Sequence, residues 1–500
     1  MMSTPSLSTL PEELQVQILG YIYKYSLIDL RLVSHTFSRL ITPIIFRAIR
    51  VRAYRDEPQR FVYIAMAKHL RCHVREVTCD TWTGSYPTEK RLERMDEFFR
   101  AIPSICVFPK LDTLNIRLEH DEFHLYHSTQ FRLLKMLFDC MEGALKVHEY
   151  LGRDIFSSPK MSSQQAKTGV SLPLKTLAIS NLVDVSGLKA LLSFQSLVNS
   201  GSLKDLRISV ADQPDLDDSK VIPTTQVIHD ELLDAVLSPG IASNLQVLSL
   251  FPSVSCGWFP NMDFRLVGAN DMPNLKVLAL GGFEFSQWWQ VEWIGSLGIE
   301  KLYLDECTIL HPGRNRAIST TDAVCQWEAQ RLTNTVWRQG STYHTHTRWH
   351  HIFEHWANTL PNLRVFKIGH GWDLDASCAW KAIDLTYEGD FYEHVEEDHE
   401  AIFQPFRHTN HQHFECPLPH TTGTGIRRYG CEAAQANAAI FPYVEHIKGF
   451  GGFGQTYTDS PGPGKEFMKV SSEEKERDRN AFDKFLTVVE TRRKGLAVKE

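Results

Sequence analysis

Three places along the chain carry residue types whose spacing suggests chemistry. The first is Gly449, Gly451 and Gly454, a literal GxGxxG. A dinucleotide site needs a helix that begins within the motif, so that its N-terminus meets the pyrophosphate. Here the loop-forming run Gln455-Thr456-Tyr457-Thr458-Asp459-Ser460-Pro461-Gly462 follows, and the nucleotide reading is rejected. The second is His351-x-x-Glu354-His355, the letters of an inverted zincin motif, in which two histidines hold zinc and the glutamate activates water. At about 100° per residue, Trp349, Ile352, Phe353, Trp356 and Leu360 form the buried stripe and His351, Glu354 and His355 face away from it. A solvated helix face offers neither a third ligand nor a shaped pocket, so no protease is expected. The third is the crowd of His394, His399, His408, His411, His413, Cys416 and His420. His411, His413, Cys416 and His420 are the four best placed for a tetrahedral site, but their spacing fits no common zinc module, and the segment reads as a polar loop. There is no GxSxG elbow, no P-loop and no motif that marks a nucleophilic cysteine. No catalytic residue, metal or cofactor is expected, and the chain reads as a non-enzyme.

Composition bounds the rest. At 500 residues the chain exceeds what one hydrophobic core serves, which leaves several cores or an extended array. With 43% hydrophobic and 23% charged residues it is a folding composition, and a net charge of -7 supplies no basic field for nucleic acid or anionic lipid. No apolar stretch reaches the roughly 18 residues needed to cross a bilayer, and residues 1–10 lack a signal-peptide pattern. Ten cysteines without a CxxC pair read as free thiols of a reducing compartment. The expectation is a cytoplasmic or nuclear protein with no nucleic-acid or membrane partner.

The elements begin with three short helices in the first fifty residues. Pro11 suits a first helical turn. Leu14, Ile18 and Ile22 recur every fourth residue, with Val16 and Leu19 alongside. Leu27, Ile28, Leu30, Leu32 and Val33 make a second cluster, and Ser34 caps a third helix carrying Phe37, Leu40, Ile41, Ile44 and Ile45. About forty residues this apolar stand at the limit of independent stability, which points to a partner surface.

Leu10-Pro11-Glu12-Glu13-Leu14, Ile18-Leu19, Leu27, Leu30-Arg31-Leu32-Val33-Ser34 and Phe37 stand in one ungapped register that resembles the F-box motif, over residues 8–50. Tyr23-Lys24 stands where that family often has an acidic residue and proline, and Phe37 where it has tryptophan. The resemblance implies a three-helix domain that binds a Skp-type adaptor and, through it, a cullin-type ubiquitin ligase. It further implies that Leu10, Pro11, Leu14, Ile18, Leu19, Leu30 and Val33 divide between a small core and the partner interface, with Leu10, Pro11 and Leu14 at the interface.

Beyond residue 50 the period changes. An apolar-x-x-apolar-x-apolar pattern begins at Val74, Leu111, Leu174, Leu203, Leu245, Leu275, Ile299 and Leu363, at spacings of 24 to 64 residues. It resembles leucine-rich repeats, with helical segments such as His229 to Leu237 and Trp349 to Leu360 between strands. The expected fold is α/β: an N-terminal three-helix F-box, then an irregular leucine-rich-repeat-like solenoid with parallel strands over 51–385. An irregular His/Gly/Pro-rich region follows over 386–470, then a charged amphipathic helix over 471–500. Linkers are expected at 157–173, 211–220 and 449–464. Ser471 and Glu474 form a capping box for the last helix, whose Phe482, Phe485, Leu486 and Val489 should dock it on the array.

Strand alternation places Glu76, Thr78, Asn115, Arg117, Arg207, Ser209, Phe251, Tyr303, Asp305 and Lys367 on the face opposite the leucines, the expected substrate surface. Trp288, Trp289 and Trp293 offer an aromatic anchor, with at least two expected in the core. The implied function is substrate recognition for a cullin-type ubiquitin ligase; a repeat scaffold without a ubiquitin role is the alternative.

Overall fold

A computed structural model describes residues 10–22, 24–81, 88–118, 126–141, 174–182, 194, 201–210, 237, 239–252, 264, 267–281, 283–285, 287–305, 307–312, 347–369, 443–446, 465–467 and 471–497. The chain divides into two compact units, residues 1–119 with 132–178, and residues 120–131 with 179–500. Among the described residues no helix is long and apolar enough to cross a membrane.

The first unit opens with α1 (Glu12–Leu19), α2 (Lys24–Val33) and α3 (His35–Ile45), which leads directly into β1 (Ala48–Arg52). There follow α4 (Glu57–Met66), β2 (Glu76–Asp80), α5 (Thr88–Ala101), β3 (Thr113–Arg117) and α6 (Tyr126–Met141), which belongs to this unit from residue 132. β1, β2 and β3 pair in parallel, with Val51 opposite Cys79 and Cys79 opposite Ile116. The covering helices supply Phe61, Phe98, Leu134, Leu137 and Phe138, all buried. Phe61 meets Phe108 edge to face at 5.5 Å.

β4 (Thr176–Leu182) carries the division between the units. The second unit continues with β5 (Asp205–Val210), β6 (Val247–Pro252), β7 (Val277–Gly281), β8 (Glu284–Phe285), α7 (Trp288–Ser296), β9 (Lys301–Asp305), β10 (Thr308–Pro312), α8 (Trp349–Thr359) and β11 (Val365–Gly369). It ends with β12 (Tyr443–His446), β13 (Lys465–Phe467) and α9 (Ser472–Ala497). Nine strands form a parallel sheet in the order β1-β2-β3-β4-β5-β6-β7-β9-β11, and four others form a mixed sheet in the order β13-β12-β10-β8. β12 and β13 fall inside the 386–470 region that the sequence reading left irregular, and pair antiparallel.

Each of the eight apolar triplets read from the sequence is a strand with its lead-in residue, and all their apolar positions are buried. Successive triplets pair position for position: Leu206 with Leu248, Leu248 with Leu278, Leu278 with Leu302 and Leu302 with Phe366. The residue before each strand reinforces the register. Arg47 O accepts from both Arg75 N and Glu76 N, and Gln246 O from Lys276 N and Val277 N. Lys276 O serves Glu300 N and Lys301 N in the same way, and Glu300 O serves Arg364 N and Val365 N. At each of these steps one carbonyl satisfies two amides, so slipping a strand by one residue breaks both bonds and turns its leucines to the wrong face.

At the β11 end the core is aromatic. Trp349, Ile352, Phe353, Trp356 and Leu360 are buried, the stripe expected for this helix. Phe353 touches Trp349, Phe366, Phe482 and Phe485 at ring separations of 5.3 to 6.0 Å. α9 also matches the two ends of α8. Asp478 Oδ1 accepts from the His350 backbone N at 3.0 Å, and Arg492 donates to Ala357 O and Leu360 O at 2.6 and 2.8 Å. A carboxylate at the first turn and a guanidinium at the last complement the α8 dipole and satisfy orphan backbone groups.

The expected capping box is present: Glu474 N donates to Ser471 Oγ at 3.2 Å and Ser471 N to Glu474 Oε2 at 3.4 Å. Arg348 donates to Glu474 Oε1 at 3.0 Å, and this hydrogen bond above all holds the Glu474 carboxyl below its ordinary value of 4.5. A carboxyl depressed in the folded state contributes stability above its unfolded pKa and loses it as pH falls through the folded one. Thermal unfolding followed from pH 7 towards pH 3 should therefore show a decline that is shallower in Glu474→Gln than in the parent.

Candidate partner-docking face

The three N-terminal helices pack through Leu19, Leu27, Leu40 and Ile41, with Ile22, Leu30, Phe37, Ile44 and Ile45 against them. Ser34 stands at the N-cap of α3 in an extended conformation, and its Oγ accepts from Phe37 N at 3.2 Å. Ser34→Ala is expected to cost about 1 kcal/mol, read as a drop in the urea midpoint of this unit. Arg39 makes a two-pronged bond to Glu12 at 2.9 and 2.7 Å, tying α3 to α1. Arg31 Nε donates to Thr42 Oγ1 at 3.0 Å, tying α2 to α3, and its guanidinium lies 5.2 Å from the Phe46 ring. Gln15 is buried, and its Nε2 donates to Leu10 O at 2.7 Å, which ties the Leu10-Pro11 entry to α1. The sequence reading missed Gln15; its spacing four residues before Leu19 was the available signal.

What this core leaves outside is apolar. Leu14 and Ile18 line one face of α1 one turn apart and are exposed, with Val16 exposed on another side and Tyr21 exposed just past the helix end. On α2, Ile28 and Leu32 stand one turn apart, and Leu32 and Val33 are 82% and 69% exposed. Of the twelve exposed large hydrophobic residues in the described chain, seven lie between Leu14 and Val33. Scattered single apolar residues on a surface are ordinary, whereas a concentration on one short element marks an interaction site.

The seven residues nominated from the sequence divide accordingly. Leu19 belongs to the core and Leu30 packs against it, so neither is presented to a partner. Leu14, Ile18 and Val33 are exposed, as is Pro11, and Leu10 is half-buried. The sequence reading did not place Leu32, Ile28 or Tyr21 on the outer surface.

The second sheet face differs from the solvated surface expected of it. Asn115, Arg117, Arg207 and Tyr303 are buried, and Glu76 is half-buried. Strands about 4.8 Å apart in strict register bring side chains of one row into lateral contact, where they cover one another. Asn115 Nδ2 donates to Glu76 Oε1 at 2.8 Å and to Thr78 Oγ1 at 3.3 Å. Arg117 pairs with Asp80 at 3.3 Å, and Arg207 is clamped by Asp205 at 2.8 and 2.6 Å. Tyr303 lies against Val277 and Ala279, and burial pushes its hydroxyl up to about 12. The Asn115 bonds and the Arg117–Asp80 pair hold β2 and β3 together, whereas Asp205 and Arg207 both belong to β5. The side chains of Ser209, Phe251, Asp305 and Lys367 lie outside the described residues.

Of the three tryptophans, Trp293 is core: it stacks on Phe264 at 4.3 Å and donates to Val267 O at 2.9 Å. Trp289 is half-buried, and Trp288 is 37% exposed with its ring edge-on to His355 at 5.2 Å. His351 and Glu354 lie on the exposed face of α8, and His355 is half-buried. The Gly449–Gly451–Gly454 motif, the cluster His394 to His420 and the linkers 157–173, 211–220 and 449–464 lie outside the described residues. Among the described residues no three His, Cys, Asp or Glu side chains converge as metal ligands. Compared with known proteins, the chain matches no family model and no curated protein.

Proposed function

We propose that the chain is the substrate-recognition adaptor of a cullin-type ubiquitin ligase, with α1–α3 acting as an F-box that binds a Skp-type adaptor. One observation carries this reading: the segment whose residues resemble that motif is the segment that concentrates exposed apolar side chains. Its own core already orders the helices, so a partner meets a preorganised surface and association costs less ordering. Burying Leu14, Ile18, Leu32 and Val33 is worth about 1.5 to 3 kcal/mol each before association costs. The strands from β1 to β11 are assigned as an irregular leucine-rich-repeat-like array that presents a protein substrate. Because Asn115, Arg117, Arg207 and Tyr303 are buried, substrate contacts are assigned to other positions of the 51–385 region. Ubiquitin transfer belongs to other subunits, so no catalytic residue is assigned here, and the cytosol or nucleus is where such a complex works.

The test is copurification of the tagged full chain from eukaryotic cells. The parent should recover both the Skp-type adaptor and the cullin, and Leu14→Asp with Leu32→Asp should recover neither while its thermal unfolding is unchanged, because both sites are on the surface. Recovery of the adaptor without the cullin would support a scaffold outside the ubiquitin system. Recovery of neither by the parent would overturn the proposal.

A further inference from the structure

The first unit holds two neighbouring free cysteines that the docking reading does not use. Cys106 lies in the 3-10 segment Ile102–Val107, and Cys140 in the last turn of α6. Cys106 Sγ is 3.5 Å from Cys140 O, Cys106 is half-buried, Cys140 is buried, and both are free. We infer that Cys106 and Cys140 form an oxidisable dithiol, a modification site at which a hydroperoxide converts the pair to a disulfide joining the 3-10 segment to α6.

The two sulfurs are unequal in the way such a reaction requires. A hydrogen bond from the Cys140 thiol favours the thiolate at Cys106 and lowers its pKa, while burial pushes the Cys140 thiol well above the ordinary range. The thiolate is the attacking form, and a low-pKa, partly accessible sulfur beside a second thiol is the arrangement that oxidises reversibly. Cys106 loses its proton and its sulfur attacks the peroxide: an S–O bond forms, the O–O bond breaks, and the departing alkoxide or hydroxide takes up a proton. The Cys140 sulfur then attacks the sulfenic sulfur; the S–S bond forms, the S–O bond breaks, and water leaves with the Cys140 proton. Two thiols lose two electrons and one peroxide gains them.

Cleavage after Lys and Arg places Cys106 in peptide 101–110 and Cys140 in peptide 136–146, each with a single cysteine. After treatment of the full chain with one equivalent of hydrogen peroxide, non-reducing peptide mapping should show both free peptides lost into one linked pair. The link should be reversed by dithiothreitol and absent in Cys106→Ser and in Cys140→Ala. In Cys140→Ala, dimedone should trap a sulfenic acid on peptide 101–110. Persistence of the free 101–110 peptide in the parent, its link to any other cysteine, or its conversion to sulfonic acid without a link would overturn the inference.

Discussion

Phe353→Ala is expected to destabilise the unit that contains β5 to β11 and α9 by about 3 to 5 kcal/mol in urea unfolding, the cost of removing a large buried aromatic side chain. The position is fully buried and its ring meets two residues of α9, Phe482 and Phe485, as well as Phe366 of β11. The loss therefore reaches beyond one helix: the docking of α9 on α8 depends on this ring, and with it the polar contacts of Asp478 and Arg492 at the two ends of α8. An unfolding curve that loses cooperativity, with α9 released first, is the expected form of the change. His351→Ala, two residues earlier on the exposed face of the same helix, should stay within about 0.5 kcal/mol of the parent.

Asp80→Ala carries the second large effect, in the first unit. Asp80 and Arg117 face each other from neighbouring strands, with side chains 2% and 3% exposed. Removing the carboxylate leaves the guanidinium buried without that counter-ion, and breaking a buried pair from one side costs about 3 to 5 kcal/mol. Replacing both partners by apolar residues of similar size, Asp80→Leu with Arg117→Met, should recover most of the loss, since neither desolvation cost then remains. Urea midpoints of the parent, the single and the double variant measure this. A single variant as stable as the parent would mean that water reaches the pair.

The strands were legible in the sequence because the sheet's buried face imposes a fixed pattern. Val77 and Cys79, Leu114 and Ile116, Leu278 and Leu280 alternate at the strand period after an apolar residue that closes the preceding turn. β1 escaped because its own version, Phe46-x-x-Ile49-x-Val51, follows α3 without a break and reads as the tail of that helix. The opposite face was only half legible. Period-two alternation says that Asn115 and Arg117 point away from the leucines, but not that Glu76, Thr78 and Asp80 of the adjoining strand wrap them. Pairing across a sheet brings together residues 37 positions apart in the chain, and no local pattern reports that.

The N-terminal helices show the same limit from the other side. Helical spacing found the apolar residues of α1 and α2. In the run from Leu27 to Val33, however, apolar residues occupy more than one face, and only the packing decides which turn inward. Leu27 and Leu30 went to the core, and Ile28, Leu32 and Val33 were left outside. Leu19, one of the seven expected to divide between core and interface, went to the core, one turn after the buried Gln15.

Calorimetric titration of the purified full chain with a purified Skp-type adaptor tests the central claim most directly. The account predicts a one-to-one complex with a Kd of about 1 μM or tighter. It also predicts a loss of at least about 100-fold when Leu14 and Leu32 are both replaced by aspartate, because two charges would have to be desolvated at the contact. No binding by the parent, or an undiminished affinity in the double variant, would contradict it.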